Sequence, residues 1–116
     1  MSSIRERILN AKDIREEEVE IEEWGVKIRL RGLTGKERAR LLQDAAKKDG
    51  SVNLEKMYPD LVILSARDPE TGVPVFVPAD RELLNEKAGG ILEDLAQRVM
   101  ELSAISKKAR DEAEGN

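Results

Sequence analysis

This sequence specifies a small α+β domain, an N-terminal β-hairpin and a short edge strand packed with four to five amphipathic helices, mostly helical in its C-terminal half. Three observations carry that expectation. Apolar and charged residues alternate from Glu18 to Arg31, the period-2 pattern of half-buried strands. Thr34-Gly-Lys-Glu37 follows at once, and a Thr with Glu three residues later is the capping box that starts a helix. Beyond it, apolar residues recur at helical spacing on either side of a strong turn, Asp68-Pro-Glu-Thr-Gly72.

In chain order, Ser2 or Ser3 is placed to cap a short helix with Ile4, Ile8 and Leu9 on one face. Asn10 to Asp13 breaks it. In the hairpin, Val19 and Ile21 alternate with Glu18, Glu20 and Glu22, while Val26, Ile28 and Leu30 alternate with Lys27, Arg29 and Arg31. The expected register sets Ile21 opposite Ile28 and Val19 opposite Leu30. The other face then carries Glu22 with Lys27, Glu20 with Arg29 and Glu18 with Arg31. Such exposed ion pairs select the register more than they hold the fold. A two-residue turn does not suit Trp24-Gly25. A four-residue loop, Glu23 to Val26, lets Gly25 take the left-handed position.

The helix capped by Thr34 carries Ala39, Leu42, Ala45 and Ala46 and is expected to end near Lys47 to Gly50. The cap is worth about 1 kcal/mol. Asn53 caps the next helix, with Leu54, Met57, Tyr58, Leu61, Val62 and Ser65 inward. Pro59 either kinks that helix or marks its true first turn. After the Asp68 turn, Val73, Val75 and Val77 lie on one side of a short strand and Phe76 on the other. Pro74 and Pro78 confine it to a sheet edge or an extended arm. Asp80 is placed to cap a short helix through Leu83, Leu84 and Lys87, and Gly89-Gly90 to break it. Ile91, Leu92, Leu95, Ala96, Val99 and Leu102 mark the longest amphipathic helix, with Ser103 or Ser106 restarting a last piece. Residues 1 to 106 make one domain, and the charged tail from 107 to 116 is expected to fray.

The chain of 116 residues has one Trp, one Tyr, one Phe and no Cys. Its core must therefore be aliphatic, and neither a disulfide framework nor a thiolate metal site is available. A net charge of −4 with 38% charged residues argues against a general nucleic-acid binder, which needs a basic face. The apolar runs are too short to span a bilayer, and no signal segment opens the chain.

No enzyme is expected. Without His or Cys the usual general base and nucleophile pairings are missing, and no Ser sits in a nucleophile elbow. Gly32-Leu-Thr-Gly35 lacks the Gly-Lys-Ser/Thr ending of a phosphate loop and reads as a turn into a helix cap. Asp68 to Gly72 lacks the alternating oxygens of a calcium loop. Glu16-Glu17-Glu18 and Asp111-Glu112 read as solvated surface. No catalytic, cofactor or metal-ligand set is therefore assigned. The interaction signals are Trp24 at the hairpin tip, Leu33 in the connection, and the edge segment Val73, Val75, Phe76 and Val77. Trp is enriched at binding hot spots, and an apolar edge can pair with a partner strand. The plainer alternatives are a Trp24 lid on the core and an edge strand of the domain's own sheet.

Along Trp24-Gly25-Val26-Lys-Ile-Arg-Leu-Arg31-Gly32-Leu33-Thr34-Gly35-Lys-Glu37-Arg38 the chain resembles the tail assembly chaperones of long-tailed bacteriophages. The resemblance continues through the short helix before the hairpin, Tyr58-Pro59, Asp68 to Phe76, Leu83 to Lys87 and the helix from Ile91 to Leu102. It implies a non-catalytic role in the host bacterial cytoplasm: binding the tape measure protein, keeping it soluble and helping to recruit tail tube protein. It also implies absence from the mature virion. In many such phages a frameshift yields a longer form. A structural virion protein such as a head–tail connector, or a non-phage bacterial adaptor, stays open as an alternative, and so does self-association.

Overall fold

A computed structural model describes residues 3–105 of the chain. Its elements are α1 (Ile4–Asn10), β1 (Glu16–Ile21), β2 (Val26–Arg31), α2 (Gly35–Ala45), α3 (Leu54–Ser65), α4 (Arg81–Asn85) and α5 (Gly89–Leu102), with single 3-10 turns at Glu22–Trp24 and Pro78–Asp80. The α+β class is as expected. The tail from 107 to 116, and the proposed roles of Ser2 and Ser106, lie outside the described residues.

β1 and β2 form an antiparallel hairpin whose inner face is Val19, Ile21, Ile28 and Leu30, all buried. The register differs from expectation by two residues: Val19 stands opposite Ile28, Ile21 opposite Val26 and Glu17 opposite Leu30. The cause lies in the turn. Glu22–Trp24 forms a 3-10 turn closed by Gly25 in the left-handed conformation, with the Gly25 N–H donating to the Glu22 carbonyl. That turn consumes Glu22, so the ladder closes at Ile21 and Val26. A two-residue shift keeps every side chain on its face, which is why the alternation alone did not discriminate the registers. The outer charges regroup accordingly, with Arg29 between Glu16 and Glu18 at 3.4 and 3.5 Å. Glu17 is not the solvated residue the acidic run implied. It sits on the inner face, half-buried, and its carboxylate accepts from Arg98 of α5 at 2.6 Å.

Leaving β2, the chain passes tightly against the end of α5. A Cβ at Gly32 would lie 2.6 Å from the Leu102 carbonyl oxygen, so this glycine serves close approach rather than a turn. The next amide, Leu33 N–H, donates to Ser103 Oγ at 2.9 Å. Ser103 therefore ends α5 and anchors the connection; it does not restart a helix. Thr34 caps α2 as expected. The Glu37 N–H donates to Thr34 Oγ1, and the Thr34 N–H donates to the Glu37 carboxylate. Glu37 is also gripped by both terminal nitrogens of Arg31, at 2.9 and 2.7 Å. With Glu37 held inward, Ala45 is buried and Leu42 half-buried against the core as expected, Leu41 is buried beside them, and Ala39 and Ala46, expected on the same face, are exposed. The helix also stops at Ala45, before Lys47, and the chain doubles back through an Ala46–Val52 bridge.

α3 is the central helix, touching β2, α2, α4 and α5, and it is buried on most of its circumference. Asn53 caps it, accepting from the Glu55 N–H at 3.0 Å. Pro59 lies inside the helix, with five residues of helix before it. Its missing N–H leaves the Glu55 carbonyl without a helical partner, and the Asn85 side-chain amide donates there at 2.8 Å. α4 thus repairs the gap that proline opens in α3. Asp80 does not cap α4; its carboxylate accepts from the Val77 N–H. Gly89 and Gly90 begin α5 rather than breaking the chain. α5 closes the core with Leu92, Leu95, Ala96, Val99 and Met100.

The Arg31 guanidinium, aided by the Thr34 N–H, holds the Glu37 carboxyl down at about 2 against an ordinary 4.5. A folded value below the unfolded one adds stability that is complete above about pH 4.5 and is lost as pH falls through about 2. Its size is on the order of 1–3 kcal/mol. Glu37→Gln is expected to lower the urea midpoint at pH 7, and the gap to wild type should narrow steadily below pH 4.5. A gap that stays constant down to pH 2.5 would contradict this coupling.

Candidate partner-binding surface

The outer edge of β2 is extended by irregular chain. Arg29 and Arg67 exchange both backbone hydrogen bonds, at 2.9 and 2.7 Å, and Arg67 bridges onward to Pro74. The turn between them is built as its residues dictate. Asp68 Oδ1 accepts from the amides of Glu70 and Thr71, and Gly72 has positive φ. Beyond it, the expected strand Val73–Val77 is reduced to that single bridge, because Pro74 has no amide to extend a ladder. The alternation survives. Val73, Val75 and Val77 are 55%, 43% and 58% exposed, and Phe76 is half-buried against the core.

The amides of this arm are mostly committed. Val75 N–H donates to Ala66 and Val77 N–H to Asp80. The arm therefore presents valine side chains to a partner, and little free backbone for strand addition. It runs at Pro78 into a groove of about 320 Å³ between α2 and α3. The groove floor is Leu41, Ile63, Leu64 and Pro78. On its rim Arg81 holds Asp60 through two bonds of 2.9 and 2.7 Å. This groove was not assigned from sequence. Its sequence signal is the stripe Glu37, Leu41, Ala45, spaced four apart along α2.

The other two assigned residues part ways. Trp24 is half-buried at the hairpin tip and packs against the core. Leu33 is buried, held by the Gly32 approach to α5, so it is no longer an apolar group left over for a partner. Among the described residues, no three Asp or Glu side chains gather as a metal site, and no helix is long and apolar enough to cross a membrane.

No family model and no curated protein matches the sequence. Among solved structures, the bacteriophage HK97 tail assembly chaperone matches with a TM-score of 0.61 and 28% identity, over 88% of this chain and 95% of that one. The chain is thus similar to that tail assembly chaperone in sequence as well as in fold. The similarity spans nearly the whole of both chains. The exposed valines and the α2–α3 groove are surface features of this fold.

Substitutions at exposed positions change stability by about 0.5 kcal/mol or less each. The combined variant Val73→Ser, Val75→Ser, Val77→Ser is therefore expected to keep the wild-type urea midpoint within a small margin. A large drop would show that the arm serves the core.

Proposed function

We propose that this chain acts without catalysis in phage tail assembly, binding helical segments of the tape measure protein, keeping them soluble and helping to recruit tail tube subunits. The observation that supports it is the near full-length likeness to the HK97 tail assembly chaperone. The reading places the protein in the host cytoplasm during assembly and outside the finished particle. The proposed contacts are the valines of the Val73–Val77 arm with Phe76 beneath them, the neighbouring α2–α3 groove, and Trp24 at the hairpin tip. An amphipathic helix laid in a groove is a recurrent mode of peptide recognition, and the apolar floor under a charged rim suits it.

Co-expression with the tape measure protein from the same genome tests the proposal. Wild-type protein is expected to move the tape measure protein into the soluble fraction and to co-purify with it. The triple serine variant, folded but stripped of the arm's apolar groups, is expected to weaken that rescue, and Trp24→Ala to weaken it further. A tape measure protein equally soluble alone, or one that never co-purifies, overturns the chaperone reading. Detection of the chain in purified virions favours a structural role instead. Rescue unaffected by the variants leaves the function standing and removes these contacts.

A further inference from the structure

Given the helix-binding function proposed above, we propose that the α2–α3 groove selects its helix by charge. It takes an amphipathic segment whose apolar stripe is flanked by acidic residues, and Lys36 and Arg40 are the groups that read them. The groove is small. Its volume of about 320 Å³ lies at the low end of the roughly 300–1,000 Å³ of ligand pockets. It admits anchoring side chains of a helix, and the body of that helix rests on the rim. The floor of Leu41, Ile63, Leu64 and Pro78 accepts apolar groups and discriminates only weakly among them. Selection falls to the rim.

Much of the rim is already neutralised. The Glu37 carboxylate is held by Arg31, and the Asp60 carboxylate by Arg81. Lys36 and Arg40 also line the groove. They stand four residues apart on α2, which puts them on one face of the helix. Neither makes an ion pair among the described residues. Asp44 follows one turn later on the same face. Its charge falls on Arg81: that guanidinium is held above its ordinary value first by the bond to Asp60, and further by the field of Asp44. The groove is therefore dipolar. Two cations without partners lie along the first turns of α2, and Asp44 and Asp60 outweigh Arg81 at the other end.

This charge order defines the occupant. From Lys36 to Asp44 the rim runs about 12 Å at 1.5 Å per residue. The complementary helix carries two acidic residues one turn apart beside its apolar stripe, and a basic residue one turn beyond them. Complementary potentials of this kind fix register and reject wrong partners more than they add raw affinity. The preference also runs against the chain as a whole. A net charge of −4 draws cationic partners at long range, so selection of an acidic helix has its source in the groove.

Two synthetic helical peptides with one shared leucine stripe are the probes. In the first, two glutamates and then a lysine flank the stripe at one-turn intervals. In the second, two lysines and then a glutamate take those places. By fluorescence anisotropy the wild-type protein is expected to bind the first about tenfold more tightly than the second, and salt of about 0.5 M to shrink the difference. Lys36→Glu/Arg40→Glu is expected to reverse the order. Lys36→Gln/Arg40→Gln is expected to bind both peptides about equally. Both positions are exposed, and an unchanged circular dichroism spectrum checks that each variant folds. Equal binding of the two peptides by wild type, tighter binding of the second, binding of neither, or variants that keep the wild-type order overturns the proposal. The tape measure protein takes no part in this measurement. Rescue of that protein without peptide selectivity removes the charge rule alone, and peptide selectivity without rescue removes the tape measure reading alone.

Discussion

The outer edge of β2 is the constraint on which the rest of the structure depends. A two-stranded hairpin is marginal by itself, and its second edge must find partners or face water. Here the end of α3 supplies them. The fully buried Ser65 hydroxyl donates to the Arg31 carbonyl at 2.6 Å and accepts from the Arg31 N–H at 2.8 Å. Two residues on, Arg67 continues the same edge with backbone bonds to Arg29. A serine on the inner face of a helix thereby acts as a rung of the sheet. Leaving either Arg31 group unmet would cost about 1–3 kcal/mol.

From that junction the other elements take their positions. Arg31 reaches Glu37 and the Leu64 carbonyl, tying the start of α2 to the end of α3. Gly32 and Leu33 then lock the connection onto the end of α5 through Leu102 and Ser103. The arm from Val73 hangs on Arg67 and Ala66, one step further out. The surface available to a partner is therefore carried by chain whose backbone bonds are already made. A partner that binds such a surface leaves little ordering to offset.

Much of this was legible in the residues. The alternation from Glu18 to Arg31, the Thr34–Glu37 box, the Asn53 cap and the Asp68–Gly72 turn each report local chemistry, and each appears where the sequence places it. What escaped were features decided by distant partners. The hairpin register turned on whether Glu22 joined the turn, and the two choices bury the same side chains. The α2 face was set by Arg31 pulling on Glu37, a contact that no helical periodicity encodes. Pro59 was tolerated because Asn85 meets the Glu55 carbonyl from 30 residues away. Glu17 escaped because a run of three glutamates looks uniformly solvated until Arg98 is brought beside it. At the candidate surface, the exposed valines followed from alternation and the prolines, whereas the burial of Leu33 depended on the close approach of α5.

The proposed function divides labour between a bonded aliphatic frame and a few apolar side chains outside it. Methyl NMR of the protein with a helical fragment of the tape measure protein from the same genome tests that division directly. The methyl resonances of Val73, Val75 and Val77 are expected to shift and broaden, while those of Leu30, Leu61 and Val99 in the core stay in place. Core shifts accompanied by unperturbed arm valines would contradict it.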